Sequence, residues 1–312
     1  MKPRLAIATG DPAGIGPEIS LKAARDPRVR ALCEPVLFGA REVMAMHGAI
    51  DGVQIQPVKQ ARPRIGRVAP EHGRAALAAA EAAIRGALGG DYAAVIGAPH
   101  TETAIHAAGI AFDGYPSFVA RVCGLPADDA VLMLCFRHEG REVRIAHVTL
   151  HVSVASALGL ITKERVVRTV RAVNEALVKL GVAEPRIAVG GVNPHAGESG
   201  AFGREEIELV DPAIQEARQA GLTVDGPIGA DTLIQRKGYD AYVVMLHDQG
   251  HVAAKLLAPQ RAAALTIGTP VLFSSVAHGS ALDIAGQGKA NPDAMIEAIT
   301  RIVGRRRRAV AT

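Results

Sequence analysis

TKERVVRTVRAVNEALVKLG, residues 162–181, is followed after three residues by PRIAVGGVNPH, residues 185–195, and the change of period between the two decides the fold class. The first has the three- and four-residue apolar spacing of a helix, with Thr162 at the N-cap position, Arg165 three residues on in place of a full capping box, and Gly181 as a stop. The second is a short β-rich run that ends in polar and turn-forming residues. The same alternation recurs along the chain. Strand candidates are RLAIATG (4–10), PVLFGA (35–40), YAAVIGAP (92–99), VLMLCF (131–136), VRIAHVTLH (143–151), AYVVMLHDQG (241–250), AALTIG (263–268) and PVLFSSV (270–276). Between them lie further helix candidates, EHGRAALAAAEAAIRGAL (71–88) and REEIELVDPAIQEARQAG (204–221). Strands alternating with helices argue for an α/β fold with a largely parallel sheet.

At 312 residues the chain is long enough for two domains and a cleft. GLPADDA, 124–130, interrupts two apolar stretches with turn-forming and acidic residues and is the best linker. The expected division is residues 1–127 plus 269–312 as one discontinuous α/β domain and 128–268 as a second. Hydrophobic residues at 49% and charged residues at 21% are ordinary globular composition. Much of the net charge of +4 sits in the terminal GRRRRAVAT, read as a solvated tail. With no Trp, four Tyr and six Phe, the chain lacks platforms on which bases could stack, so nucleic acid is not an expected partner. Cys33, Cys123 and Cys135 have no C-x-x-C spacing and sit among apolar neighbours, as for buried free thiols in the cytoplasm. Neither a signal h-region nor an uncharged apolar window of membrane-spanning length is present.

Polar chemistry concentrates behind the strands. His151 ends VRIAHVTLH, His195 ends RIAVGGVNPH and His247 ends YVVMLH. That edge of an α/β sheet is where ligands sit. A strand-end histidine taken alone is more often a hydrogen-bonded core side chain, but three in the same context could hold a divalent metal with an open position. His147, inside its strand, reads as structural, and spacing does not choose between His247 and His251. Asp248, Asp231 and Glu198 could orient these imidazoles or serve as caps and turn residues. Lys255, about two turns beyond His247 if the segment is helical, could neutralise a carboxylate or donate a proton. In GDPAGIGPE, 10–18, Gly10, Gly14 and Gly16 lie between a strand and a helix opening at Pro17, an arrangement suited to an anion or a close backbone approach.

Taken together, GDPAGIGPE, NPHAGESGAFGREE, GPIGADT, MLHDQG and HGSALDIAGQGKA resemble the 4-hydroxythreonine-4-phosphate dehydrogenase (PdxA) family, with the motifs in order from residue 8 to about 296. The resemblance implies a two-domain isocitrate/isopropylmalate dehydrogenase-like fold, with the active site in the interdomain cleft. It implies a homodimer with shared active sites, the dimer interface and metal ligands in the second domain, and a small-molecule substrate. It implies NAD and a divalent metal: zinc, alternatively magnesium, manganese, cobalt or iron. By motif, the metal ligands are His151, His195 and His247, drawn from both subunits. Lys255 and Asp248 are the expected catalytic residues. Gly14, Gly191, Asn193, His278 and Asp283 are the expected cofactor contacts.

The chain departs from the family where substrate is read. Gly114-Tyr115-Pro116 stands in place of G-H-T, Ala98-Pro99-His100-Thr101-Glu102 in place of A-P-x-N-K, and Ala264 and Phe273 fall where the family has Asn and Arg. A phosphate dianion without an Arg clamp or equivalent donors is costly to bury. PHTETAIHAAGIAFDGYPS and MLHDQGHVAAKLLAP resemble instead the branch that acts on the terephthalate cis-dihydrodiol, 1,2-dihydroxy-3,5-cyclohexadiene-1,4-dicarboxylate. On this reading Tyr115, Pro116, Lys255 and Phe273 contact the substrate, Tyr115 and Phe273 flanking its ring. The expected activity is metal-dependent, NAD-linked oxidation and decarboxylation of a hydroxy-carboxylate, an aromatic cis-dihydrodiol. The alternative is 4-hydroxythreonine-4-phosphate dehydrogenation in pyridoxal phosphate (vitamin B6) biosynthesis. A catalytically silent metal-binding protein on the same scaffold is a third reading.

Overall fold

The computed structural model describes residues 2–60, 62–258, 262–276 and 278–303; the Arg-rich segment 305–308 lies outside them. In chain order the strands are β1 (Arg4–Ala8), β2 (Glu34–Gly39), β3 (Gln54–Pro57), β4 (Val95–Gly97), β5 (Val131–His138), β6 (Arg141–His147), β7 (Arg186–Gly190), β8 (Thr223–Ile228), β9 (Ala241–Val244), β10 (Ala263–Ile267) and β11 (Phe273–Val276). The chain forms two compact units, Met1–Ala127 with Thr269–Thr312, and Asp128–Gly268.

In the first unit the strand order is β3-β2-β1-β4-β11, and every pairing is parallel. Leu5, Ala6, Ile7 and Ala8 of β1 are all fully buried, the continuous apolar run of a strand covered on both faces. The helix Pro70–Leu88 lays Leu77, Ala80 and Ile84 into one cluster with Val36, Phe38, Val95 and Phe273. Its Ala-rich face lets a long helix lie close against the pleat.

The second unit has the order β10-β5-β6-β9-β7-β8. Its first two pairings are antiparallel, β10 with β5 and β5 with β6, and the remainder are parallel. The helix Lys163–Lys179 begins as the sequence dictates: the Thr162 hydroxyl accepts from the Arg165 backbone N–H at 3.2 Å. Val166, Val167, Val170, Val173 and Leu177 are its buried stripe. Gly181, at φ 86°, takes the left-handed position after the helix, where a side chain would be strained.

Two strands are absent from the expected set, β3 and β8, and both are terminal in their order. QIQP and TVDGPI carry polar residues and proline, which the outer position of a sheet tolerates and a central strand does not. Strand ends also differ. The expected VRIAHVTLH stops at His147, so His151 lies in the following loop, and His195 and His247 likewise follow β7 and β9 rather than ending them. Cys33 and Cys135 are buried free thiols, whereas Cys123 is half-buried.

Candidate active site

In each unit the candidate site residues follow the carboxyl ends of parallel strands. In the second unit, the segment after β6 stays attached to the segment after β9. Val148 N–H donates to Val244 O at 2.9 Å, and both the backbone N–H and the hydroxyl of Thr149 donate to Met245 O, at 3.1 and 2.7 Å. This attachment brings the rings of His151 and His247 to 5.6 Å. His251, one turn along the helix His247–Leu257, stacks on His247 at 3.8 Å with 7° between the planes, and its other neighbour is His147 at 4.7 Å.

The HDQG motif resolves into four separate physical roles. His247 has Nδ1 against Asp248 Oδ1 at 2.6 Å, which fixes the ring and leaves Nε2 outside that bond. Gln249 closes β9 onto β7: its Oε1 accepts from Met245 N–H at 2.9 Å and Leu246 N–H at 3.0 Å, and its Nε2 donates to Gly191 O at 3.1 Å. Gly250 admits the His147 ring, since a Cβ there would overlap His147 Nε2. A Gly250→Ala variant is therefore expected to lose about 1–3 kcal/mol of stability in urea unfolding, the usual result of overpacking a buried site. An unchanged midpoint would show that the ring has room to move.

Burial pushes the His147 imidazole down to about 3, with the charges of His251, His247 and His151 acting in the same direction. Burial, then His247, holds His251 down at about 4. Both are neutral when folded and take protons near 6.5 when unfolded. The unfolded chain thus binds more protons between those values, so the stability they contribute is complete above about pH 6.5 and is lost as pH falls toward 4. The metal-free protein should unfold at lower urea at pH 5 than at pH 7.5. A His147→Asn variant, which keeps a donor toward Leu132 O but does not titrate, should show a smaller difference. Equal slopes in the two proteins would remove His147 from the explanation.

His195 belongs to a separate feature. Residues 195–199 run in the left-handed region, with φ values of 51°, 53°, 78°, 42° and 55°. Four of them are not glycine, at a cost of roughly 1–2 kcal/mol each. Glu206 holds this turn in place: it is 2% exposed and accepts from Val192 N–H at 2.7 Å, Asn193 N–H at 2.8 Å and Asn193 Nδ2 at 2.9 Å. The same turn sets Glu198 3.4 Å from His195 Nδ1. Asp231, by contrast, makes no bond to an imidazole among the described residues and stands beside Gly229 at the start of the short helix Ala230–Leu233. Among the described residues no three His, Cys, Asp or Glu side chains gather to hold a metal ion. His151 and His247 are brought together; His195 is not brought to them.

Other expected residues fall as follows. Lys255 is exposed on the helix of His247, makes no ion pair among the described residues, and adds its charge to the field at His251. Gly191 lies against Ala196 and Glu206, and the Asn193 amide donates to Glu205 and Glu206, so both have structural work in the loop itself.

In the first unit the loops after β1, β4 and β11 interlock. Asp11 N–H donates to Pro99 O at 2.9 Å, Ile15 N–H donates to Ser280 O at 2.9 Å, and Thr101 Oγ1 bonds both Asp11 Oδ2 and Ser280 Oγ. Gly14 packs its backbone on Ser280, and Ala290 N–H donates to the buried Glu18 carboxylate at 2.8 Å, which anchors the segment carrying His278 and Asp283. Ala98, Pro99, His100, Glu102, Tyr115, Ser275, Val276, His278 and Gly279 line a recess of about 310 Å³.

Tyr115 lines the recess, with its hydroxyl turned toward Ala98 O at 3.4 Å and its phenol pushed up by burial. Pro116 opens the same helix, Tyr115–Val122, half-buried. Phe273 does not flank the recess. At 1% exposure it is core, its ring packed behind Tyr115 at 4.6 Å, because its strand register opposite Val95 turns it inward. It is withdrawn from the substrate contacts.

Glu206, Gln249 and His100 were not singled out as site residues by the sequence. For Glu206 a signal existed: it lies on the same helical stripe as the buried Val210, Ala213, Ile214 and Ala217, a carboxylate at an apolar position.

Comparison with known proteins places these motifs. The model for the pyridoxal phosphate biosynthetic protein PdxA matches residues 22–302. A 1,2-dihydroxy-3,5-cyclohexadiene-1,4-dicarboxylate dehydrogenase of Comamonas sp. is 45% identical over 305 residues, 95% of this chain and 96% of that protein. The structure of a terephthalate 1,2-cis-dihydrodiol dehydrogenase from Burkholderia xenovorans superposes with TM-score 0.77 at 41% identity, covering 97% of this chain and 99% of that one. A 4-hydroxythreonine-4-phosphate dehydrogenase from Klebsiella pneumoniae gives TM-score 0.84 at 31% identity, over 97% and 99%. Likeness of fold alone extends to a β-decarboxylating dehydrogenase from Thermococcus kodakarensis, TM-score 0.52 at 20% identity, over 96% of this chain and 81% of that one. No described helix is long and apolar enough to cross a membrane.

Proposed function

This chain belongs to the PdxA family, and from that premise we propose that it is a metal-dependent, NAD-linked dehydrogenase and decarboxylase acting on a cyclohexadiene cis-dihydrodiol carboxylate, such as the terephthalate dihydrodiol. The observation that carries the substrate class is the recess of the first unit. Among the described residues its lining holds imidazole, phenol ring, aliphatic and hydroxyl groups and one carboxylate, and no Lys or Arg. Such walls suit a flat ring and leave a phosphate dianion without the charged donors that offset its desolvation.

His151, His195 and His247 are the proposed metal ligands. Geometry supports two of the three: His151 and His247 are neighbours, and Asp248 at Nδ1 leaves Nε2 as the His247 nitrogen available to coordinate. Glu198 stands in the same relation to His195. A second copy of the chain is the proposed source of the remaining ligand, in a homodimer with shared sites. Exposed apolar residues on the second unit support such a partner, Val154 and Leu158 on one helix, and Val252 and Leu256, the last 76% exposed, on another. A monomer on sedimentation with full turnover would contradict the shared site.

When bound, a divalent cation would supply Lewis-acid stabilisation of a negative oxygen, and NAD would supply the hydride acceptor. Asp248 and Glu198 orient the imidazoles that would hold the cation. Lys255 would pair with the substrate carboxylate that departs, and Gly14, His278 and Asp283 would help hold the cofactor. Oxidation of the ring CH–OH gives a ketone β to that carboxylate. Cleavage of the bond to the carboxylate releases carbon dioxide, and the electron pair left behind completes an aromatic diol. The test is stoichiometry: NADH, carbon dioxide and the catechol carboxylic acid should form in equal amounts from the dihydrodiol. NADH without carbon dioxide would remove the decarboxylating half.

A further inference from the structure

The imidazole of His100 takes no part in the chemistry above, yet its setting is built. Its ring meets Phe112 edge-on at 4.9 Å and Tyr115 edge-on at 4.8 Å, while Phe273 backs Tyr115 from the core. The aromatic walls fix the ring on two sides, and the recess lies on another. His100 makes no hydrogen bond to a described residue, and Ser275, whose hydroxyl likewise has no described partner, lines the same recess. A half-buried imidazole clamped by aromatic edges with its polar atoms unspent is a group held ready for a ligand.

We propose that His100 is a specificity-determining residue that reads the ring carboxylate remote from the oxidised carbon, its N–H donating to that carboxylate beside the Ser275 hydroxyl while Tyr115 borders the ring.

This rests on the function proposed above and names the group at the far end of that substrate. Burial lowers the His100 imidazole below its ordinary value, against smaller opposing effects of Glu102 and Asp11, so the ring is neutral near pH 7 and offers one N–H donor and one acceptor. Neutral donors suffice for a single carboxylate charge. The exposed Glu102 carboxylate at the rim adds repulsion that grows with ligand charge, so a monoanionic end is favoured over a dianionic one.

The experiment measures kcat/KM for the 1,4-dicarboxylate dihydrodiol and for the same dihydrodiol lacking the 4-carboxylate, in wild type, His100→Phe and His100→Gln. Phe keeps the aromatic contacts and removes the donor; Gln restores a donor. The expected result is a loss of about 100-fold for His100→Phe on the dicarboxylate, carried mainly by KM, with less than about 3-fold change on the analogue, and partial recovery in His100→Gln. Equal losses on both compounds would make His100 structural and overturn the inference, as would no loss on either. Wild-type enzyme inactive on both ring compounds would instead defeat the proposed function, and this inference with it.

Discussion

Replacing His247 with alanine should leave the protein folded, remove its divalent metal and lower turnover by on the order of 10³-fold or more, since a Lewis acid at the reacting oxygen is worth several kcal/mol of transition-state stabilisation. The side chain is 34% exposed at the start of a helix, so its loss opens no core cavity. His151→Ala and His195→Ala should behave alike, because an open three-ligand site does not survive as two ligands with useful affinity. A graded series gives the claim its shape. Asp248→Ala removes the 2.6 Å partner of His247 Nδ1 and should weaken metal binding about 10–100-fold without abolishing it. His251→Ala removes only a stacked neighbour, so metal content should stay near normal. Stoichiometric metal in the His247→Ala protein, measured by elemental analysis after dialysis, would sink the ligand assignment.

How much of this was legible in the sequence depends on whether a residue acts through its own type or through a neighbour distant in the chain. Alternating periods exposed the α/β layering, and Thr162 and Gly181 bounded their helix as capping chemistry requires. Three histidines behind strands were visible because imidazoles are conspicuous after apolar runs. The loop residues that position them were not. Gln249 bridges to Gly191 across 58 positions, and Glu206 holds a turn 13 and 14 positions upstream, pairings that no local pattern announces. The outermost strands β3 and β8 escaped because an edge position relaxes the hydrophobic demand that makes central strands readable. Phe273 misled for the converse reason. Its position in the motif order suggested the substrate, while the direction of its side chain is set by strand register, and register buries it behind Tyr115.

The substrate assignment carries the largest expected ratio. A site built to hydrogen-bond one set of polar groups rejects a ligand that leaves those groups unpaired by roughly 10⁴-fold or more, whereas an apolar mismatch is worth only about 10 to 200-fold. The recess places His100, Ser275 and Tyr115 around its volume with no Lys or Arg among the described residues that line it, so a phosphorylated hydroxy-amino acid leaves a dianion uncompensated there. The decisive measurement is NADH formation by the metal-loaded protein with the terephthalate dihydrodiol and with 4-phosphohydroxy-threonine, under identical metal, NAD and pH. The expected result is a kcat/KM about 10⁴-fold higher for the dihydrodiol. A higher kcat/KM for the phosphorylated compound would contradict the account and return the chain to the vitamin B6 reaction.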